Sequence, residues 1–264
     1  KTGMPVIVFE RDFASDGFAY RSIPPDLTAK EFIVADIKNN FVFLEKSGKD
    51  KVPIASVTKI MTALIAGEFI NLENDITIPK SAAVYTSKPR LKAGESYSAY
   101  NLLYPLLLES SNEAAETFSS HLGKERFVNL MNNKARAIGM NSTSFADSSG
   151  SGEGNVSTAE DLFSLAKYVY NNRSFIFGMA SGKLTSSAYG KPSFDNLSNL
   201  NIFGDREDFI GGKMGKTAAA GETMVAVFEL NLNEDKRPIA IVMLGSSNVQ
   251  SDILKVVDWL NNNY

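Results

Sequence analysis

Ser56 and Lys59 stand three residues apart in PIASVTKIM, residues 53–61. On a helix that spacing puts both side chains on one face, a turn apart. A serine hydroxyl is unreactive without a base. A neighbouring lysine serves as that base only if burial or a second cation destabilises its ammonium. A helix start also directs free backbone N–H groups at developing negative charge. Taken alone, the pair reads as an N-cap serine followed by a solvated lysine. Two further stretches change that reading. LLLESSNEAAE (106–116) places Ser110, Ser111 and Asn112 between two helical segments, and DFIGGKMGKTAAAG (208–221) gathers Lys213, Gly215, Lys216 and Thr217 at the start of a strand run.

The second of these ends in G-K-T, the close of a nucleotide-binding loop. That motif needs a glycine five residues before Gly215, and Ile210 stands there. Gly211 and Gly212 come too late, which argues against a phosphate cradle and an ATPase.

The elements that must position these residues can be read from periodicity. FIVADI (32–37) and FVFLEK (41–46) flank Lys38-Asn39-Asn40 as a hairpin, after a polar, irregular stretch over residues 1–30. A helix is predicted over about 56–69, with Val57, Ile60, Met61, Leu64 and Ile65 as its apolar stripe. AYNLLYPLLLE, NEAAETFSSHL, KERFVNLMNNKARAIG and STAEDLFSLAKYVYNN read as helices, the last capped by Ser157 or Thr158. TMVAVFEL (223–230) and PIAIVMLG (238–245) form a second hairpin, and VQSDILKVVDWLNNN a closing helix. Hairpins at opposite ends of the chain imply an α+β fold with one antiparallel sheet built from both termini. A sheet lobe of about 1–69 and 190–264 would then carry a mostly helical inserted lobe of about 70–189, with a cleft where they meet.

Composition narrows the chemistry. The 264 residues are 44% hydrophobic and 22% charged, enough to bury a sizeable core. A net charge of -3 offers no electrostatic case for nucleic acid. There are no cysteines and one histidine, so thiolate metal sites, a cysteine nucleophile and a multi-histidine metal site are excluded. His121 lies in an amphipathic pattern and reads as a surface or helix-end residue. No run approaches the ~20 apolar residues of a membrane span, and no export signal is visible.

The order S-x-x-K (Ser56–Lys59), S-x-N (Ser110–Asn112) and K-x-G (Lys213–Gly215) resembles the penicillin-recognising serine hydrolases. More narrowly, it resembles the low-molecular-mass D-alanyl-D-alanine carboxypeptidases of peptidoglycan metabolism. PIASVTKIMTALIA, LLYPLLLESSNEAAE, MNNKARAIGMNSTSFADSSG, STAEDLFSLAKY and DILKVVDWL carry the same likeness, over roughly residues 32–260. The triplet Lys1-Thr2-Gly3 lies at the wrong end of the chain to be the third motif.

The resemblance implies a β-lactamase/transpeptidase-like fold and a serine-type D-Ala-D-Ala peptidase acting on peptidoglycan stem peptides. It implies no metal or cofactor, inhibition by β-lactams, and action outside the cytoplasm. Carried over, Ser56 attacks the carbonyl between two D-alanines, Lys59 takes its proton, and Ser110 passes a proton to the leaving amine. Asn112 holds Lys59 and a substrate amide, Lys213 faces the substrate carboxylate, and the N–H groups of Ser56 and Lys216 form the oxyanion hole. Gly215 and Thr217 complete the substrate-lining strand with Met214.

Two features depart from the family pattern. Met214 replaces the threonine of K-T-G, its bulk expected to narrow the wall, and no arginine follows Arg237, the text there being GSSNVQSD. Each loss removes a carboxylate contact worth roughly 1–3 kcal/mol. Acylation is expected to survive, with carboxylate capture weakened. The alternatives are a DD-endopeptidase, a β-lactamase-like hydrolase, disfavoured because no E-x-x-L-N glutamate stands between Asn112 and Lys213, and a non-catalytic peptidoglycan-binding module.

Overall fold

The computed structural model describes residues 23–46, 51–84, 90–184 and 189–264. Most of the stretch read as irregular at the N-terminus therefore lies outside the described residues, as does Lys1-Thr2-Gly3. In chain order the strands are β1 (Glu31–Asp36), β2 (Val42–Lys46), β3 (Val52–Pro53), β4 (Asp75–Thr77), β5 (Ser96–Ser98), β6 (Val156–Ser157), β7 (Phe209–Thr217), β8 (Gly221–Leu232) and β9 (Asp235–Ser246). The α-helices are α1 (Thr58–Phe69), α2 (Ala99–Leu108), α3 (Asn112–Leu122), α4 (Lys124–Ala137), α5 (Ala159–Asn172), α6 (Phe175–Ala180) and α7 (Val249–Asn263).

One antiparallel sheet, in the order β2-β1-β9-β8-β7, joins both hairpins of the chain. This is the α+β architecture expected from the sequence. The period of two along each strand sorts its side chains onto two cores. Ile33, Ala35, Val225, Val227, Ala240 and Val242 face the helices α1 to α6. Phe32, Val34, Met224, Ala226, Phe228 and Ile241 face α7 through Val249, Ile253, Val256 and Leu260. Covered on both sides, β8 and β9 read as nearly continuous apolar runs.

Turn chemistry fixes the registers. Asn233 and Glu234 both take positive φ, 48° and 70°, as a two-residue hairpin between β8 and β9 requires. The β1–β2 turn is held by Asp36, whose Oδ1 accepts the Lys38 N–H at 2.7 Å. Asp252, buried on α7, accepts Thr28 N–H, Ala29 N–H and the Thr28 and Ser246 hydroxyls, so the chain entering β1 is pinned to the last helix.

The short ladders β3–β6 and β4–β5, and α6, were not legible in the sequence. They are two or three residues per strand, or six in the helix, below the length at which periodicity speaks. His121 sits exposed in the last turn of α3. Among the described residues no helix is long and apolar enough to cross a membrane.

Candidate active site

The expected helix over 56–69 begins differently in the structure. Residues Ala55–Val57 form a 3-10 turn, and the α-helix starts at Thr58. Ala55 is held at φ 48°, a left-handed conformation that costs an L-residue about 1–2 kcal/mol. Such strain persists only when the surroundings over-determine it. Here Thr223 Oγ1 donates to Ile54 O at 3.0 Å, and the strand bearing Gly215 lies directly against the turn. A Cβ added to Gly215 would stand 2.6 Å from Ser56 N and 2.9 Å from Ala55 Cβ. The glycine of K-x-G is thus a close-approach residue: it lets β7 touch the backbone of Ser56.

Lys59 is fully buried in the first turn of α1. Its Nζ donates to Ser56 Oγ at 3.0 Å, Asn112 Oδ1 at 2.8 Å and the Ser149 carbonyl at 2.6 Å. An ammonium has three N–H bonds, and all three are taken. Asn112 Oδ1 and Ser149 O can only accept. When the lysine is neutral its two remaining N–H bonds stay on those two oxygens, and its lone pair is left facing the Ser56 hydroxyl. The arrangement is that of a base aimed at a nucleophile.

Electrostatics favour that neutral form. Burial lowers the Lys59 pKa well below the usual lysine value, and the Lys213 charge lowers it further, against the opposing pull of Asp147 and Glu113. Lys213, also buried, is brought down to about 7 by burial. Its Nζ donates to Met214 O at 2.9 Å.

The α2–α3 turn presents the second motif. Ser111 is absorbed as the N-cap of α3, accepting Ala114 N–H at 3.0 Å and donating to Glu113 Oε2 at 2.8 Å. Ser110 lies just outside, at φ 57°. Ser110 and Ala55 are both non-glycine residues with positive φ, within two residues of Asn112 and Ser56 respectively, whose side chains accept from Lys59 Nζ. Asn112, first residue of α3, delivers its amide oxygen to Lys59.

β7 forms the remaining wall as an edge strand. Met214 N–H points away from β8, donating to Asn201 Oδ1 at 3.3 Å. Backbone groups repeat direction every two residues, so Lys216 N–H also points outward, on the edge that Gly215 presses against Ser56. The Lys216 side chain itself is exposed and paired with Glu222 at 2.8 Å. Thr217 Oγ1 accepts Ala220 N–H at 3.1 Å, which closes the β7–β8 turn. The strand is followed by a strand and no helix, so nothing here builds a phosphate loop.

Met214 corrects one expectation. Its side chain is half-buried against the second core, opposite Met224 on β8. Alternation sends it to the α7 side, while Lys213 and Gly215 turn to the cleft, so its bulk does not narrow the wall. What the position lacks is only a hydroxyl. Arg237 is tied to Asp36 at 2.6 Å, at the beginning of β9.

Sequence reading missed Ser149, Asp147, Asn155, Thr223 and Asn201. Ser149 acts through its carbonyl, which no residue type advertises. Asp147 and Asn155 shape the turn around Ser149 itself, while Thr223 and Asn201 hold backbone groups from distant segments.

Comparison with known proteins agrees with this geometry. The profile of the D-alanyl-D-alanine carboxypeptidase family, peptidase S11, matches residues 19–247. A D-alanyl-D-alanine endopeptidase of Haemophilus influenzae is 37% identical over 231 residues, 85% of this chain and 78% of that protein. One of Escherichia coli is 27% identical over 232 residues, covering 83% and 72%. The structure of a D-alanyl-D-alanine carboxypeptidase from Mycobacterium tuberculosis superposes with a TM-score of 0.78 at 28% identity, covering 92% of this chain and 94% of that one. The chain belongs to the D-alanyl-D-alanine carboxypeptidase family and is a serine-type D-Ala-D-Ala peptidase.

Proposed function

We propose that the chain cleaves D-alanyl peptide bonds of peptidoglycan stem peptides outside the cytoplasm, through an acyl-enzyme on Ser56, and that β-lactams acylate the same residue. The observation that carries this reading is the Lys59 amine, whose three contacts leave its lone pair to Ser56. Ser56 Oγ attacks the carbonyl carbon as its proton moves to Lys59. The oxyanion is met by Ser56 N–H and Lys216 N–H, each such donor worth roughly 3 kcal/mol. Collapse breaks the C–N bond, and Ser110 hands its proton to the departing amine while the proton taken by Lys59 replaces it, which returns Lys59 to the neutral form. Water then cleaves the ester, releasing the shortened peptide and restoring Ser56. Lys213 and Asn112 hold substrate, with the backbone of Met214, Gly215, Lys216 and Thr217 as an edge for an extended peptide.

The test is mass spectrometry after exposure to a penicillin. One adduct per chain, mapped to the peptide containing Ser56, is expected, with slow release because no E-x-x-L-N glutamate lies between Asn112 and Lys213, and the one such stretch, from Glu229 to Asn233, starts at an exposed residue of β8. Label on another residue, or none, overturns the reading and favours a non-catalytic binding module. Rapid turnover favours a β-lactamase-like hydrolase.

A DD-endopeptidase reading has its own support. The relatives at 37% and 27% identity are both named endopeptidases, and no arginine follows Arg237 to grip a free terminal carboxylate. Because residue 214 turns to the α7 side, Met214→Thr is expected to leave kcat/KM for a pentapeptide ending in D-Ala-D-Ala within about threefold of wild type. Penicillin acylation should be unchanged as well. The assay is release of free D-alanine; a tenfold gain in the threonine variant would show that this position does reach the carboxylate.

A further inference from the structure

The turn that carries Ser149 is built with unusual care. Asp147 Oδ1 accepts three donors: Ser149 N–H at 2.7 Å, Gly150 N–H at 2.7 Å and Ser149 Oγ at 2.9 Å. Buried Asn155 clasps the turn from behind, donating to Asp147 O at 2.9 Å and to Thr58 Oγ1 at 3.0 Å. Its Oδ1 accepts the N–H groups of Ala146 and Asp147. Thr62, one turn along α1, donates to Ser148 O at 2.6 Å, and Ser148 Oγ donates to Ala115 O on α3 at 3.0 Å. Gly150 has φ 74°, and a Cβ there would lie 1.9 Å from Ala55 O. The turn is therefore seated at once against α1, α3 and the residue before Ser56.

We propose that Asp147 is a positioning residue for the Lys59 amine, fixing the turn so that the Ser149 carbonyl steers the lysine lone pair onto Ser56. One carboxylate oxygen holds the two peptide N–H groups on either side of that carbonyl. The Ser149 C=O therefore has no freedom to rotate away from Lys59. Without it one N–H of the neutral amine loses its acceptor, and the lone pair is no longer forced towards the hydroxyl. Asp147 also acts by charge. The charged groups facing Lys59 are Lys213 from β7, Asp147 from the turn and Glu113 from α3. The two carboxylates counter Lys213 and keep part of the proton affinity that a base needs.

The two effects separate by variant. Asp147→Asn keeps a carbonyl oxygen for the turn but removes the charge; Asp147→Ala removes both. Loss of the negative charge lowers the Lys59 pKa, so the neutral amine persists to lower pH. The inference rests on Lys59 being the base, and Lys59→Arg belongs in the same experiment. Penicillin acylation is measured against pH for wild type and all three variants, with thermal melts alongside. For Asp147→Asn the acid limb is expected to move down by about half to one pH unit. For Asp147→Ala the plateau is expected to fall at least tenfold as well. An acid limb at its wild-type position in Asp147→Asn, with Lys59→Arg inactive, overturns the charge contribution, and a wild-type plateau in a folded Asp147→Ala overturns the positioning role. Acylation retained by Lys59→Arg overturns the reading of the base itself. If Asp147→Ala does not fold, Asp147→Glu, which keeps the charge but displaces the oxygen that holds the turn, takes its place, with the same loss of plateau expected.

Discussion

Lys59→Arg should cut the rate of Ser56 acylation by about three orders of magnitude. General-base assistance is worth roughly 10²–10⁴-fold, and arginine cannot lose its proton at any accessible pH. The arginine fork also cannot reproduce the threefold pattern of Ser56 Oγ, Asn112 Oδ1 and Ser149 O around one nitrogen. A permanent charge in a fully buried site is costly, so a second variant is needed. Lys59→Met has similar length, adds no charge, and should fold at least as well as wild type with the same loss of acylation. Rates are measured with a fluorescent penicillin under single-turnover conditions, and folding by thermal melt and near-ultraviolet circular dichroism. A folded Lys59→Met or Lys59→Arg protein acylated within tenfold of wild type would show that another group takes the serine proton.

Lys213→Met is expected to stabilise the protein while impairing it. The Lys213 pKa falls from the ordinary lysine value of 10.5 to about 7 on burial, its largest cause. In the unfolded chain the group returns to about 10.4, so between pH 7 and that value the unfolded state binds more protons. Stability of the wild type must therefore rise with pH across this window, and the cost of Lys213 is fully present at and below about pH 7. At 1.36 kcal/mol per pKa unit, removing the ionisable group gains on the order of 3–5 kcal/mol at neutral pH and little near pH 10.5. Methionine matches the lysine stem in length and apolar character. On the proposed mechanism the same substitution removes the group that holds the substrate carboxylate, and acylation by penicillin should fall about a hundredfold. It also relieves Lys59 of a repelling neighbour, so the acid limb of the residual activity should shift to higher pH. Denaturant unfolding at pH 7 and pH 9.5 measures the stability difference. A variant no more stable than wild type at pH 7 would show that Lys213 is hydrated or paired in solution. A site that keeps such a group at the expense of stability is keeping it for function.

Much of the architecture was legible from one sequence because its signals are local. The apolar runs TMVAVFEL and PIAIVMLG, and the spacing of Val57, Ile60, Met61, Leu64 and Ile65, are the patterns that a strand covered on both faces and a buried helix must show. The ordered motifs around Ser56, Ser110 and Lys213 located the candidate side chains, since serine, lysine and asparagine carry their chemistry in the residue type. Even the extra serine was resolvable in principle: Ser111 followed by Asn112 and Glu113 is a helix start.

What the chain order alone could not decide was direction and environment. The orientation of Met214 depends on β7 being an edge strand whose alternation sends residue 213 to the cleft and residue 214 to α7. The basicity of Lys59 depends on burial and on Lys213, 154 residues away along the chain. The third acceptor of Lys59 is a peptide carbonyl, a group that every residue possesses. The sequence by itself determined which side chains could react and on what kind of scaffold, because periodicity and residue chemistry act over a few positions. Only the tertiary structure decided that the lysine is dry, that its lone pair meets Ser56 and that Asp147 holds the turn behind it. Desolvation and hydrogen-bond direction arise where distant segments pack together, and no local pattern encodes them.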